Sequence, residues 1–381
     1  MVSLVKGRGK LSVYEQLGVK GVVNARGHLT LLGGSILPKE VLEAFLKANK
    51  CFVDMEELQE KSGAIIAEIL GAEKAFVTSG AFAALVLATS ACMTQEDRAR
   101  MEQLPFTAGM RNEVIIQRGL RTKYDRAITV AGARFVEVGE ADGTLPRHIE
   151  EAITERTAAI HFLAPGGGKD TVPIEEVLRI AKERNVPVIV DAAGQVLPAE
   201  NLRKYVGLGA DLVCYGAKYF DGPNSAGILC GRKKLVEAAQ LQTFVGFETQ
   251  TIRALGRGMK LDRQEVVGTM VALQRWMAMD HTARLQAQYE TIKYLVEELN
   301  HLPGVKAVAA RERMGIPTSV HVTLNHEQLG LTAQEVKDGL RSSDPSVWVG
   351  LEGDTIVIAV ETLLEGEAQI LLEKLKRVLA S

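Results

Sequence analysis

Between Ala75 and Gly231, short apolar runs alternate with stretches whose apolar residues recur at helical spacing. The runs at 75–78, 113–117, 134–138, 157–163, 186–191, 211–215 and 226–230 read as strands, and the two that carry Asp191 and lead to Lys218 are too short and too apolar for surface helices. Those two read as buried strands. Between the runs the spacing predicts helices over 80–92, 122–131, 174–184 and 232–240. This alternation predicts an α/β domain built on a mainly parallel seven-stranded sheet. Upstream, 39–48 and 56–70 carry helical periodicity, and Asn24-Ala-Arg26-Gly27-His28 reads as a polar turn between apolar stretches. The segment 241–260 reads as a glycine-containing loop. Long helical patterns follow over 262–279 and 282–300. After His301-Leu-Pro-Gly304, strands at 305–309, 319–324, 348–351 and 355–360 mix with helices at 332–341 and 366–380. The chain accordingly divides into an N-terminal arm over 1–55, a large domain over 56–260 and a smaller α+β C-terminal domain over 261–381.

Polar residues that end buried parallel strands face a common ligand crevice. Asp191 ends the run Val188-Ile-Val-Asp191, and Lys218 follows Asp211-Leu-Val-Cys-Tyr-Gly-Ala. An amine and a carboxylate held there match what pyridoxal phosphate needs. The lysine forms a Schiff base with its aldehyde, and the acid pairs with its protonated pyridine nitrogen. The same pair also matches an ordinary salt bridge across two strands. Ahead of them, Ala75-Phe-Val-Thr-Ser79-Gly80-Ala81-Phe82 leads from a strand through a small-residue turn into an alanine-rich helix. Free N–H groups at a helix start bind anions, and Ser79, Gly80 and Ala81 would let the backbone approach a phosphate. The alternative is a plain N-cap serine. Gly166-Gly-Gly-Lys169-Asp follows a predicted strand and reads as a flexible active-site loop.

Charge and cysteine content then exclude other classes. Lys and Arg total 45 against 47 Asp and Glu, for a net charge of −2, which points away from a nucleic-acid or membrane surface. Cys51, Cys92, Cys214 and Cys230 are scattered without metal-ligand spacing, so no metal is expected. The first ten residues lack the apolar core of an export signal, and no apolar stretch reaches the roughly 18 residues of a spanning helix. A cytoplasmic protein is expected.

Several segments together carry a family resemblance. They are Asp191-Ala-Ala-Gly-Gln195, Asn201-Leu, Gly209-Ala-Asp-Leu-Val, Gly216-Ala-Lys218 and Asp221-Gly-Pro-Asn-Ser-Ala-Gly227-Ile-Leu-Cys-Gly-Arg232. With Val23-Asn24-Ala-Arg26-Gly27, Phe52-Val-Asp-Met-Glu-Glu-Leu-Gln59 and Gly256-Arg257-Gly-Met-Lys260, they resemble the selenocysteine synthase family over most of residues 20–275. That family comprises the seryl-tRNA selenium transferases and shorter SelA-like relatives, D-glucosaminate-6-phosphate ammonia-lyase among them. The resemblance implies a fold-type I pyridoxal phosphate-dependent transferase fold, with pyridoxal 5'-phosphate as cofactor and a homodimer or higher homo-oligomer as the assembly.

The same resemblance implies roles. Lys218 would carry the cofactor and later act as acid–base group, and Asp191 would keep the ring nitrogen protonated. Ala193 would lie against one ring face. Tyr215 and Gly216 would border the phosphate, with Ser79, Gly80 and Ala81 holding it. Gln195 would bond the ring oxygen or a substrate group, or else serve as a surface cap. Arg257 and Lys260 would hold a substrate anion, or else form a solvated basic loop. Asn24 and Arg26 would close the site from the arm. One position departs from the pattern. SelA-like relatives often carry a histidine near Gln117-Arg118-Gly119 that stacks on the ring, whereas here Leu120 follows Gly119, leaving Phe82 as a candidate stacking group.

Asn24 already lies in the catalytic part, so an N-terminal tRNA-binding domain like that of the full transferase is not expected. A small-molecule substrate follows: an amino acid or amino sugar acid, with no nucleic acid partner. The leading expectation is α-proton abstraction followed by β-elimination and ammonia release from an amino sugar acid, of which D-glucosaminate 6-phosphate is one. A racemase, an aldolase, a β-substituting synthase and a non-catalytic SelA-like protein are the alternatives.

Overall fold

The structure, a computed structural model, describes residues 13–380, the side chain of Lys169 apart; the reading of the first ten residues lies outside them. Two compact units emerge. One is Ser35–Met279, and the other joins residues 13–34 to 280–380. The first strand of the chain, β1 (Val22–Ala25), belongs to the second unit.

The larger unit holds a seven-stranded sheet of β2 (Lys74–Thr78), β3 (Glu113–Gln117), β4 (Arg134–Val138), β5 (Thr157–Leu163), β6 (Val188–Asp191), β7 (Leu212–Gly216) and β8 (Gly227–Gly231), in the spatial order β2-β8-β7-β6-β5-β3-β4. All neighbours pair parallel except β8, which runs antiparallel to both β2 and β7. Strands β2, β5, β6 and β7 therefore end along one edge of the sheet.

Alternation along each strand sorts side chains between two cores, because successive side chains point to opposite faces. Ile115, Ile160, Val190, Val213 and Tyr215 pack with Ile66, Val177, Leu202 and Trp276 on one face. Val114, Ala159, Ile189, Leu212 and Cys214 pack with Leu85, Ala88, Ile128 and Val236 on the other. The helix Gly80–Thr94 lies in the second layer and is buried at every position from Ala83 to Thr94. It has no polar face because it is covered all round. Its hydroxyls turn inward: Thr89, Ser90 and Thr94 donate to carbonyl oxygens one turn back at 2.8, 2.9 and 2.9 Å.

The smaller unit is an open-faced sandwich. Its sheet has the order β1-β11-β12-β10-β9, with β9 (Val305–Arg313), β10 (Ile316–Leu324), β11 (Ser346–Glu352) and β12 (Thr355–Ala359). Helices His281–Asn300, Ala333–Ser342 and Glu367–Leu379 contribute Ile292, Leu340 and Leu371 to its core. Here the structure adds to the reading of Asn24 as part of a turn, since its side chain bonds in the turn while its backbone is in a strand. Asn24 lies on β1, which pairs in parallel with β11 from Val22↔Ser346 to Ala25↔Val349. A four-residue edge strand whose partner lies more than three hundred residues away leaves little local signal. Segment 241–260 likewise contains a short helix, Phe244–Thr249, started by the Thr243 hydroxyl, which accepts from the Gly246 N–H.

Close backbone approach limits one position. A Cβ on Gly227, the first residue of β8, would lie 2.6–2.7 Å from backbone atoms of Gly80, Ala81 and Tyr215. Those atoms are main chain on both sides and cannot swing aside. Gly227→Ala is expected to lower stability by about 1–3 kcal/mol, as overpacking does, measured by denaturant unfolding. A cost near zero would mean that the start of the Gly80 helix is not seated on β8.

Candidate active site

The C-terminal edge of the larger sheet brings three groups together: Asp191 at the end of β6, Lys218 two residues beyond the end of β7, and the turn Ser79-Gly80 beyond β2. Asp191 pairs across the strands with Cys214, and Leu163 at the end of β5 pairs with Asp191 on the other side. The turn after Asp191 is fastened to both neighbours. The Ala192 N–H donates to the Cys214 carbonyl at 3.0 Å, the Gly216 N–H to the Ala193 carbonyl at 3.0 Å, and the Ala164 N–H to the Asp191 carbonyl at 2.9 Å. The spacing between the acid and the lysine is thus set by sheet geometry rather than by a loop.

Asp191 is 7% exposed, and among the described residues its carboxylate has one hydrogen bond, from the Ala193 N–H at 3.1 Å. It forms no ion pair among the described residues. Burial raises its pKa above the usual carboxylate value, and the Ala193 N–H only partly offsets this. The salt-bridge alternative for Asp191 is therefore not what the structure shows. A buried carboxyl group with one N–H donor fits a ligand that brings a second, preferably cationic, donor, as a protonated pyridine does.

Lys218 is half-buried on the short 3₁₀ helix Ala217–Phe220, and desolvation lowers its pKa. A lowered amine pKa raises the share of nucleophilic free amine at neutral pH. Its Nζ lies over the ring of Tyr219, 5.0 Å from the centroid. Nothing in the sequence singled out Tyr219; an aromatic residue beside a lysine carries no specific signal.

The helix starting at Gly80 has no side-chain cap. The Ser79 hydroxyl, read as a cap or phosphate contact, donates instead to the Met259 carbonyl at 3.1 Å. That bond seats the Gly256–Lys260 loop against the helix start and leaves the first-turn N–H groups of Gly80, Ala81 and Phe82 without a side-chain acceptor from Ser79. Ala81 is half-buried and Phe82 is 43% exposed.

Several expected contacts sit differently from a direct ligand role. Tyr215 is fully buried, and its hydroxyl donates to the Leu202 carbonyl at 3.1 Å, so its side chain belongs to the core and only its backbone lies at the strand end. Ala193 is half-buried in the turn after Asp191. Gln195 braces that turn, its side-chain amide donating to the Ala164 carbonyl at 3.4 Å. Arg257 pairs with Glu248 at 2.8 Å and lies over the Phe247 ring, while Lys260 is exposed. Leu120 is buried in the core rather than presented at the edge. In the smaller unit, Asn24 shapes a turn, its amide donating to the Gly27 carbonyl and accepting from the Arg26 N–H, both at 3.0 Å; Arg26 is exposed on that turn.

Comparison with known proteins agrees with this architecture. The sequence profile of the family described as SelA, L-seryl-tRNA selenium transferase, matches residues 22–364. The chain is 32% identical over 378 residues to D-glucosaminate-6-phosphate ammonia lyase of Salmonella typhimurium strain 14028s, covering 96% of this chain and 98% of that one. It is also 32% identical over 345 residues to a 5'-C-glycyluridine monooxygenase-decarboxylase of Streptomyces sp, covering 88% and 83%. A solved structure of D-glucosaminate-6-phosphate ammonia-lyase superposes with a TM-score of 0.86 at 30% identity, over 97% of this chain and 98% of that one. The fold is that of the fold-type I enzymes.

The Asp191 environment gives a stability prediction for the cofactor-free protein. Burial raises the folded-state pKa, so the folded protein keeps this proton to higher pH than the unfolded chain does. The group's contribution to stability is therefore lost as pH rises from the unfolded carboxylate value, about 3.9, through the raised folded value. Above that window Asp191→Asn should melt at a higher temperature than the parent, and the gap should close as the pH falls below it. A parent that stays the more stable of the two at pH 8 would show that the carboxylate has a stabilising partner.

Proposed function

The chain belongs to the SelA family, and from that premise we propose that it is a pyridoxal phosphate-dependent lyase that releases ammonia from an amino sugar acid such as D-glucosaminate 6-phosphate. The observation that carries this reading is a buried carboxyl group lacking an ion pair among the described residues, beside a half-buried lysine on the next strand end. It occurs in a chain similar over nearly its whole length to an enzyme of that activity.

Pyridoxal phosphate would supply an aldehyde for an amine and a ring that draws off the charge left when a proton leaves the substrate's α-carbon. Asp191 would accept from the ring N–H and keep it charged. The N–H groups of Gly80, Ala81 and Phe82 would meet the phosphate at the positive end of a helix buried along most of its length. Ala193 is small enough to leave room for a ring face. Lys218, its pKa lowered by burial, would attach the cofactor and move the α-proton. Gln195, Arg257 and Lys260 are proposed for the substrate's polar groups, Arg257 after giving up Glu248.

We also propose that the protein works in the cytoplasm as a homo-oligomer. Supporting the oligomer, Ile36, Leu42, Leu46 and Phe52 are exposed apolar side chains clustered in sequence, Phe52 to 94%. Among the described residues no helix is long and apolar enough to cross a membrane.

The similarity to a 5'-C-glycyluridine monooxygenase-decarboxylase supports a second reading, oxidative decarboxylation of a glycyl nucleoside on the same scaffold. Product analysis separates the two. The first reading expects ammonia and a keto acid from D-glucosaminate 6-phosphate without oxygen uptake. Carbon dioxide and oxygen uptake with a glycyl nucleoside, and no ammonia from the sugar acid, would favour the second. In either case borohydride reduction in the presence of pyridoxal phosphate should fix the pyridoxyl group on Lys218, detected by peptide mapping. A label elsewhere would remove the basis for both. Asp191→Asn should slow turnover by about 10²–10³, the usual effect of losing one preorganised electrostatic partner.

A further inference from the structure

Tyr219 occupies a slot that two glycines leave open. A Cβ on Gly216, at the end of β7, would lie 3.2 Å from the Tyr219 ring, and a Cβ on Gly194, three residues after Asp191, would lie 3.7 Å from it. The ring is thus held between the ends of β6 and β7, the two strands that carry the acid and the lysine. It is half-buried and packed against the first of the two cores, and its face is turned to the Lys218 Nζ at 5.0 Å. An ammonium at that distance from an aromatic face is attracted to the ring's negative quadrupole.

We propose that Tyr219 is a positioning residue for Lys218, its clamped ring holding Nζ in place and favouring the protonated amine. Burial pulls the other way, lowering the Lys218 pKa. The balance sets how much neutral amine, the reactive form, is present at working pH. On the neighbouring strand end is Asp191, and three residues beyond the lysine is Asp221, paired at 3.0 Å with Arg275 of the helix Arg263–Ala278. All three remain in every variant below. The inference rests on Lys218 being the reactive amine of the proposed lyase. Its test uses neither cofactor nor substrate, so it can fail or succeed separately from that reading.

The test is trace labelling of the full-length, cofactor-free protein with acetic anhydride from about pH 6 to 10, a range that spans the lysine titration. Acetylation of Lys218 is read by peptide mass mapping against exposed Lys260 in the same sample. In Tyr219→Leu the Lys218 rate at neutral pH should rise about 2- to 30-fold, the span expected from loss of a cation–π contact. Its titration should move to lower pH while the alkaline plateau stays put. Tyr219→Phe keeps the ring and should follow the parent. An unchanged profile in Tyr219→Leu overturns the proposal. So does an equal rise at all pH values, which would mean that the ring merely shields the amine. If Tyr219→Leu does not fold, Gly216→Ala keeps the tyrosine but displaces its ring, and should give a smaller rise in the same direction. No change there overturns the proposal as well.

Discussion

Asp191 brings a carboxyl group to the end of a central strand, where it is 7% exposed and receives one backbone N–H. Taking a carboxylate out of water without a partner costs several kcal/mol. The larger unit tolerates this because the surroundings of Asp191 are fixed from both sides. β5 and β7 pair with β6 along its length, and Val190 and Ile189 anchor the strand in opposite cores. Neither the carboxyl group nor its strand can relax toward water without breaking that sheet. An unmet demand for a donor, held rigidly, is a binding site for a ligand that carries one.

The rest of the sheet edge is arranged around that demand. Strand ends in a parallel sheet are spaced by the hydrogen-bonded ladder, so Lys218 stands one strand from Asp191 whatever the loops do. The helix that starts at Gly80 comes close because Gly227 has no side chain beneath it. Ser79 gives its hydroxyl to Met259, which fixes a basic loop at the same place instead of capping the helix. Each contact reads separately as ordinary packing. Together they put an acid, an amine and a helix start on one rim.

That rim stands on a fold shared with a relative, and a fold does not by itself choose a substrate. Two relatives of different named activity are equally similar in identity to this chain. Of the residues the sequence singled out in the larger unit, Arg257 and Lys260 lie on a loop outside the sheet, while Leu120 is folded into the core here. Leu120 and Tyr219 differ in this respect. Leu120 withdraws a side chain from the rim, whereas Tyr219 places a ring on it, against the lysine itself.

Local sequence was enough for what depends on local physics. Short apolar runs read as strands and are buried in β5, β6, β7 and β8, though not in the edge strand β4. Helical spacing marked the covering helices, and a polar residue closing such a run lies at a sheet edge; Asp191 and Lys218 were legible for that reason. Sequence alone could not assign β1, because Asn24 gains its ladder partner from Trp348, far along the chain. Nor could it tell that Tyr215 turns its hydroxyl to a helix carbonyl while Tyr219, four residues on, lies over the amine. Both are tyrosines next to the same strand end, and which way each points is set by neighbours from other strands. Whether Asp191 and Lys218 neutralise each other was likewise open, since pairing depends on distances across β6 and β7. Residue identity and periodicity determined the chemistry available at the rim; the tertiary structure decided which of those groups are already spent on one another, because hydrogen bonds and burial are properties of segments brought together from distant parts of the chain.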